Sequence, residues 1–163
     1  MLTTGEDEGG TPGEAPGGEP DGPTTGAPLI PWMLRRINQR YRQAAASGLE
    51  SAGLADLPQR GYWALMALDG GARDATQLVS AMGISKQAVS KLVDLLVEGA
   101  FVDRQADRLD RRKVVLVLTR KGRRAVEVIR TAVEATERDI VATIGEAAFS
   151  ELCQTLEVLG EGR

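Results

Sequence analysis

The stretch GISKQAVSKLVDLLVEGAFVDR, Gly83–Arg104, decides the fold. Val89, Leu92, Val93 and Leu96 recur at the spacing of one helix face. Ser85 is placed to cap that helix, Gly99 closes it, and Phe101–Arg104 then reads as a strand. Just upstream, DATQLVSAM (Asp74–Met82) is a shorter helix whose Leu78, Val79 and Met82 turn inward. Gly83 permits the sharp redirection between the two helices, and Ile84 packs under it. The pattern is that of a helix-turn-helix. Its outward face, Ser85, Lys86, Gln87, Ser90, Lys91 and Asp94, begins short, polar and cationic. Such side chains can enter a major groove and reach base edges or phosphates. Asp94 and Glu98 would be repelled by phosphate, so that end is expected to lie away from a nucleic-acid backbone. The alternative is a plain helical hairpin with a solvated face.

Working outward, apolar residues at Leu34, Ile37, Tyr41, Ala44 and Ala45 mark a first helix from Leu29 to about Ser47, with Ser47-Gly48 as its stop. Pro58 opens a second, PQRGYWALMAL, closed by Asp69-Gly70-Gly71. On the other side, Phe101–Arg104 and the β-branched run Lys113–Leu118 form two strands joined by roughly eight residues. Thr119 caps a long helix with apolar positions at Ala125, Ile129, Ala132, Val133, Ile140 and Ile144. A last helix runs from about Glu146 to Leu159. The fold class is mainly α with a small β-hairpin: a winged helix-turn-helix flanked by N- and C-terminal helices.

Charge is unevenly distributed. Residues 1–28 hold eight Gly, five Pro and six Asp/Glu but no Lys or Arg, a composition that reads as a disordered tail. The whole chain carries −3, the tail −6, and residues 29–163 therefore +3. Residues 86–124 contain eleven Lys/Arg against five carboxylates, a positive patch of the kind nucleic-acid binders carry. A solvated surface is the plain alternative.

One cysteine and no histidine rule out an internal disulfide framework, Cys/His zinc sites and Ser-His or Cys-His catalysis. Phosphate-cradling Gly motifs are missing, and no apolar run approaches a membrane span. The sequence reads as a cytoplasmic, non-enzymatic protein with no catalytic residues, no metal and no cofactor.

From Ala75 to Ala125 the chain resembles the MarR family of bacterial transcription regulators. The residues that carry the resemblance are Gly83–Arg104, the D-x-x-D-R-R of Asp107–Arg112, and VVLVLTRKGR, Val114–Arg123. Long helices at both ends match that family's layout. The sequence departs from it at Arg108, where Pro is common, and at Leu109, where a polar residue is usual. The resemblance implies a homodimer on a palindromic double-stranded operator, with 29–48 and 119–163 as dimerisation helices and 57–118 as the DNA-binding core. By carry-over, Ser85, Lys86, Gln87, Ser90 and Lys91 belong to the recognition helix, and Arg111 and Arg112 to the wing, where an arginine enters the minor groove and an aspartate holds the wing; Asp110 and Arg112 match those two positions. Arg108 and Lys113 add cations for DNA, and Asp107 is a further bracing carboxylate. The two terminal helices pairing within one chain, and a winged helix that docks a protein instead of DNA, are the competing readings.

The family also implies a small aromatic or anionic effector between the dimer helices and the core. Trp32, Tyr41, Tyr62 and Trp63 are the candidate lining; core or dimer-interface packing is the alternative and the plainer one. Cys153, sharing a face with Phe149 and Leu156 and lacking a nearby cation in sequence, reads as buried and inert.

Overall fold

The computed structural model describes residues 29–107, 110 and 113–160. In chain order these form α1 (Ile30–Ser51), α2 (Gly61–Asp69), α3 (Ala75–Met82), α4 (Lys86–Glu98), β1 (Val102–Ala106), β2 (Val114–Leu118), α5 (Arg120–Ile144) and α6 (Glu146–Gly160). The winged helix-turn-helix expected from the sequence is the fold observed.

The core is assembled from the predicted stripes. Leu78 of α3, Val89, Leu92, Val93 and Leu96 of α4, and Ala125, Val126 and Ile129 of α5 are all buried. They meet Ala64, Leu65 and Leu68 of α2 and Ala45 and Leu49 of α1. Phe101 is wholly buried and stands outside the strand, as a plug between α4 and the start of α5. β1 and β2 pair antiparallel from Val102 opposite Leu118 to Ala106 opposite Val114. β1 thus runs two residues beyond the predicted Arg104, because Gln105 and Ala106 find partners in Val115 and Val114. One further bond, Leu116 N–H to the carbonyl of Arg73 at 2.7 Å, ties β2 to the loop before α3. The hairpin is thereby fastened to the helix-turn-helix.

Two helix boundaries differ from the sequence expectation. α1 passes through Ser47-Gly48 and continues to Ser51. Gly48 serves close packing and not termination: a Cβ there would stand 3.1 Å from Val128 Cγ1 of α5. The helix ends at Ala52, followed by Gly53 in the left-handed region at φ 71°. α2 begins at Gly61 and not at Pro58; residues 58–60 form a turn closed by Gly61 N–H to the Pro58 carbonyl at 2.7 Å. Gly61 is pressed so tightly that a Cβ would come 2.9 Å from Leu57 and 3.1 Å from Leu96.

The terminal helices differ in cover. The C-terminal half of α1 packs on the body through Ala45 and Leu49, whereas Leu29, Ile30, Met33, Leu34 and Ile37 are exposed. No residue of α6 is buried, and Leu152, Leu156, Val158 and Leu159 face solvent. Cys153 shares this exposure, which corrects the expectation that it is buried: it sits on a helix none of whose residues is buried. None of the described helices is long and apolar enough to cross a membrane.

Candidate nucleic-acid interface

Capping fixes the reading head. Asp74 precedes α3 and its carboxylate accepts from Gln77 N–H at 2.8 Å, while the Gln77 side chain accepts from Arg73 N–H at 2.5 Å. The orphan Gln77 N–H of the helix start and the N–H of the residue before the cap are thus both satisfied. Gly83 ends α3 at φ 62°, ψ 28°, where a Cβ would be strained. Ser85 then caps α4, its Oγ accepting from Ala88 N–H at 3.2 Å. That hydroxyl spends an acceptor on the helix and keeps its proton for an outside partner.

Lys86, Gln87, Ser90 and Lys91 are exposed on the face of α4 opposite the buried Val89, Leu92, Val93 and Leu96. Lys113, at the hairpin's return, is exposed as well. Among the described residues, Lys86, Lys91 and Lys113 have no ion-pair partner. Between the strands, Asp107 Oδ1 accepts from Asp110 N–H at 3.1 Å, Asp110 carbonyl from Lys113 N–H at 2.9 Å, and Lys113 carbonyl from Asp107 N–H at 2.8 Å. The loop is therefore held at its base by the backbones of Asp107, Asp110 and Lys113 and by one carboxylate. Arg108, Arg111 and Arg112 lie outside the described residues.

Other cations of the same segment are engaged, which a local reading of the sequence missed. Arg104 of β1 pairs with Asp94 of α4 at 2.5 Å, joining the hairpin to the second helix of the helix-turn-helix. Asp94 has its own positive partner instead of standing idle at the far end of the helix. Lys121 pairs with Asp56 at 2.5 Å, donates to the Gly99 carbonyl at 2.9 Å, and sits 4.2 Å from the Phe101 ring centroid. The Lys121 ammonium holds the Asp56 carboxyl below its ordinary range. Arg123 donates to the Leu118 carbonyl at 2.7 Å. Only a known fold could have revealed the Lys121–Asp56 pair, whose members are 65 residues apart.

The L-T-x-x-G of Leu118–Gly122 acquires a physical reason here. Thr119 Oγ accepts from Gly122 N–H at 3.0 Å as the cap of α5 and donates to the Ala100 carbonyl at 2.6 Å. At Gly122 a Cβ would fall 2.0 Å from the Phe101 carbonyl oxygen, inside any permissible contact. The left-handed residue at the end of α4 is Ala100, φ 57°, and not Gly99, which is needed to let Phe101 approach.

The four aromatics do not line one pocket. Tyr62 edges a groove of about 850 Å³ between α1 and the α1–α2 loop, with Arg35, Asn38 and Arg42 along its rim. Trp63 lines a second cavity of about 680 Å³ with Arg42, Arg60, Met66, Met82 and Ile84. Trp32 and Tyr41 border neither. The rings of Tyr62 and Trp63 meet edge to face at 4.6 Å, and Arg35 lies 5.3 Å over Trp32. Burial, with Glu137 nearby, pushes the Tyr41 and Tyr62 phenols up, so both stay neutral donors at physiological pH.

Comparison with known proteins agrees with this architecture. Residues 45–113 match the MarR family. The structure of BpsR from Bordetella bronchiseptica, described with regulation of its DNA binding by 6-hydroxynicotinic acid, superposes with a TM-score of 0.65 at 22% identity, covering 87% of this chain and 100% of that one. CouR from Rhodococcus jostii bound to p-coumaroyl-CoA gives 0.66 at 24%, covering 82% and 93%. CouR on a 23-mer DNA duplex gives 0.64 at 20%, covering 81% and 92%. No curated protein matches the sequence.

Proposed function

We propose, from the match of residues 45–113 to the MarR family, that the chain is a sequence-specific, double-stranded-DNA-binding transcription regulator. It acts as a homodimeric repressor on a palindromic operator, α4 in the major groove and the wing in the minor groove. The observation that carries this reading is the exposed cationic start of α4, whose Lys86 and Lys91, like Lys113 of the hairpin, have no ion-pair partner among the described residues. Ser85, Lys86, Gln87, Ser90 and Lys91 take base edges and phosphates. Lys113 with Arg108, Arg111 and Arg112 takes the adjacent backbone and minor groove, where narrow grooves concentrate negative potential. Asp107 and Asp110 brace the wing.

Residues 57–118 form the DNA-binding core, while 29–48 and 119–163 supply the dimer contact. The exposed apolar side chains of α1 and α6 support that assignment, because leaving such area in water costs about 25 cal/mol per Å². The Tyr62 groove and the Trp63 cavity, sharing Arg42, suit a small aromatic or anionic effector, and 6-hydroxynicotinic acid, which regulates DNA binding by BpsR, is a molecule of that class. Met82 and Ile84 place the second cavity against the helix-turn-helix, so occupancy there reaches the reading head.

Selection of duplexes from a random pool, followed by binding at several salt concentrations, tests the proposal. A converged inverted repeat and a log–log salt slope that loses about one unit for each of Lys86→Ala and Lys91→Ala are expected. A flat salt dependence with no enriched sequence would favour a protein-docking winged helix.

A further inference from the structure

Charge is uneven along the chain, residues 29–85 carrying +2 with Arg35, Arg36, Arg40 and Arg42 on α1. Residues 86–124 carry +6, whereas residues 125–163, with three Arg against eight carboxylates, carry −5. Residues 1–28 add six carboxylates, Glu6, Asp7, Glu8, Glu14, Glu19 and Asp21, with no cation among them. The charge of this acidic segment is opposite in sign to that of residues 86–124 and like that of residues 125–163. All four lysines of the chain lie between positions 86 and 121. One, Lys121, is held by Asp56, and the other three, Lys86, Lys91 and Lys113, are exposed without an ion-pair partner among the described residues.

We propose that the acidic N-terminal segment docks on the exposed lysines of α4 and the hairpin, Lys86, Lys91 and Lys113, and competes there with DNA phosphates, as an intramolecular competitor. Three observations converge on this occupant. The signs are complementary. The segment is tethered at Leu29, and 28 residues reach up to about 95 Å at full extension, well beyond the span of a domain this size. The tether also supplies the affinity: a weak carboxylate–ammonium contact becomes populated when its partner is held at an effective concentration of about 1 mM. Surface pairs of this type are individually small and screened by salt, so the competition is steep in ionic strength. Its consequence is selectivity. Non-specific DNA, which offers phosphate contacts alone, is displaced more readily than an operator that adds base contacts.

This inference rests on the DNA-binding reading above, and its test separates the two. In the full-length chain, Glu6, Glu8, Glu14 and Glu19 are changed to Gln, and Asp7 and Asp21 to Asn. Binding to a random-sequence duplex of about 25 base pairs is then compared with wild type. Neutralisation should tighten binding about 3- to 10-fold in ~50 mM salt and change it less than ~2-fold near 0.3 M. In parallel, carbodiimide coupling of the DNA-free wild type should link tail carboxylates to Lys86, Lys91 or Lys113 by amide bonds that vanish when duplex is added. The Lys121–Asp56 link should form throughout as an internal control. Unchanged affinity on neutralisation overturns the proposal. So does tighter binding without tail-to-lysine links, which would mean diffuse repulsion of DNA. Failure of both proteins to bind any duplex would instead sink the DNA-binding reading, while the coupling pattern would still report on the tail contact.

Discussion

Two groups of cations sit within the same 39 residues, and in sequence they look alike. At the junction between the wing and α5, Lys121 is bound to a carboxylate, a carbonyl and an aromatic face, and Arg123 to a carbonyl. On the outward face of α4 and at the wing base, Lys86, Lys91 and Lys113 are exposed and lack ion-pair partners among the described residues. The first group holds the structure together; the second is left available for an external anion. A positive stretch of sequence therefore does not measure a binding surface until the internal partners have been subtracted.

That contrast is broken most directly at Gly122. A Gly122→Ala Cβ collides with the Phe101 carbonyl, which is backbone and cannot rotate away. The expected cost is about 3 kcal/mol or loss of the folded protein, read from urea unfolding. A variant as stable as wild type would show that the junction relaxes and is not the rigid anchor described.

The reverse behaviour is expected on the reading side. Arg112→Ala, in the wing, should weaken operator binding by about 1–3 kcal/mol in a titration while leaving the unfolding midpoint within error of wild type. Equal affinity at physiological salt would remove Arg112 from the DNA contact and leave the wing assignment to its neighbours.

Asp94 and Arg104 connect the two regions, because their ion pair links the recognition helix to the wing strand. Both side chains are exposed, so Arg104→Ala should cost only about 0.2–1 kcal/mol of stability. If the pair sets the angle between helix and wing, Asp94→Asn should weaken DNA binding even though it removes a negative charge from the interface. Tighter binding would show that charge, and not orientation, is what Asp94 contributes.

The smallest effect concerns pH. Asp56 is held below its ordinary value by Lys121, so its contribution is present above the unfolded carboxylate pKa and is lost as pH falls through the lower folded value. Asp56→Asn should therefore flatten the acid side of the stability profile, with denaturant midpoints converging on wild type at low pH. An unaltered acid limb would mean the junction pair is too well screened to couple to folding.

How far the site was legible follows from the range of each interaction. Ser85, Lys86, Gln87, Ser90 and Lys91 could be placed on the outer face of α4 because helical periodicity is local, and the structure puts them there. The aromatics could not be sorted: Tyr62 and Trp63 are adjacent in sequence, yet successive residues on a helix point about 100° apart and open onto different cavities. Gly48 misled for a related reason. A glycine reads as a stop when only its own helix is considered, and its role became visible once Val128 of α5 lay across it.

By itself, the sequence determined what short-range physics controls: the buried stripe Val89–Leu96, the Gly83 turn, the Ser85 and Thr119 caps and the strand pair around a charged loop. Tertiary structure alone decided which charges remain free. Lys121 meets Asp56 across 65 residues and Arg130 meets Asp69 across 61, separations no local pattern encodes. It likewise decided that Gly122 must be glycine and that α6 stays uncovered in the single chain. Those properties depend on what folding brings alongside a residue, and charge pairing and steric exclusion act through space, not along the chain.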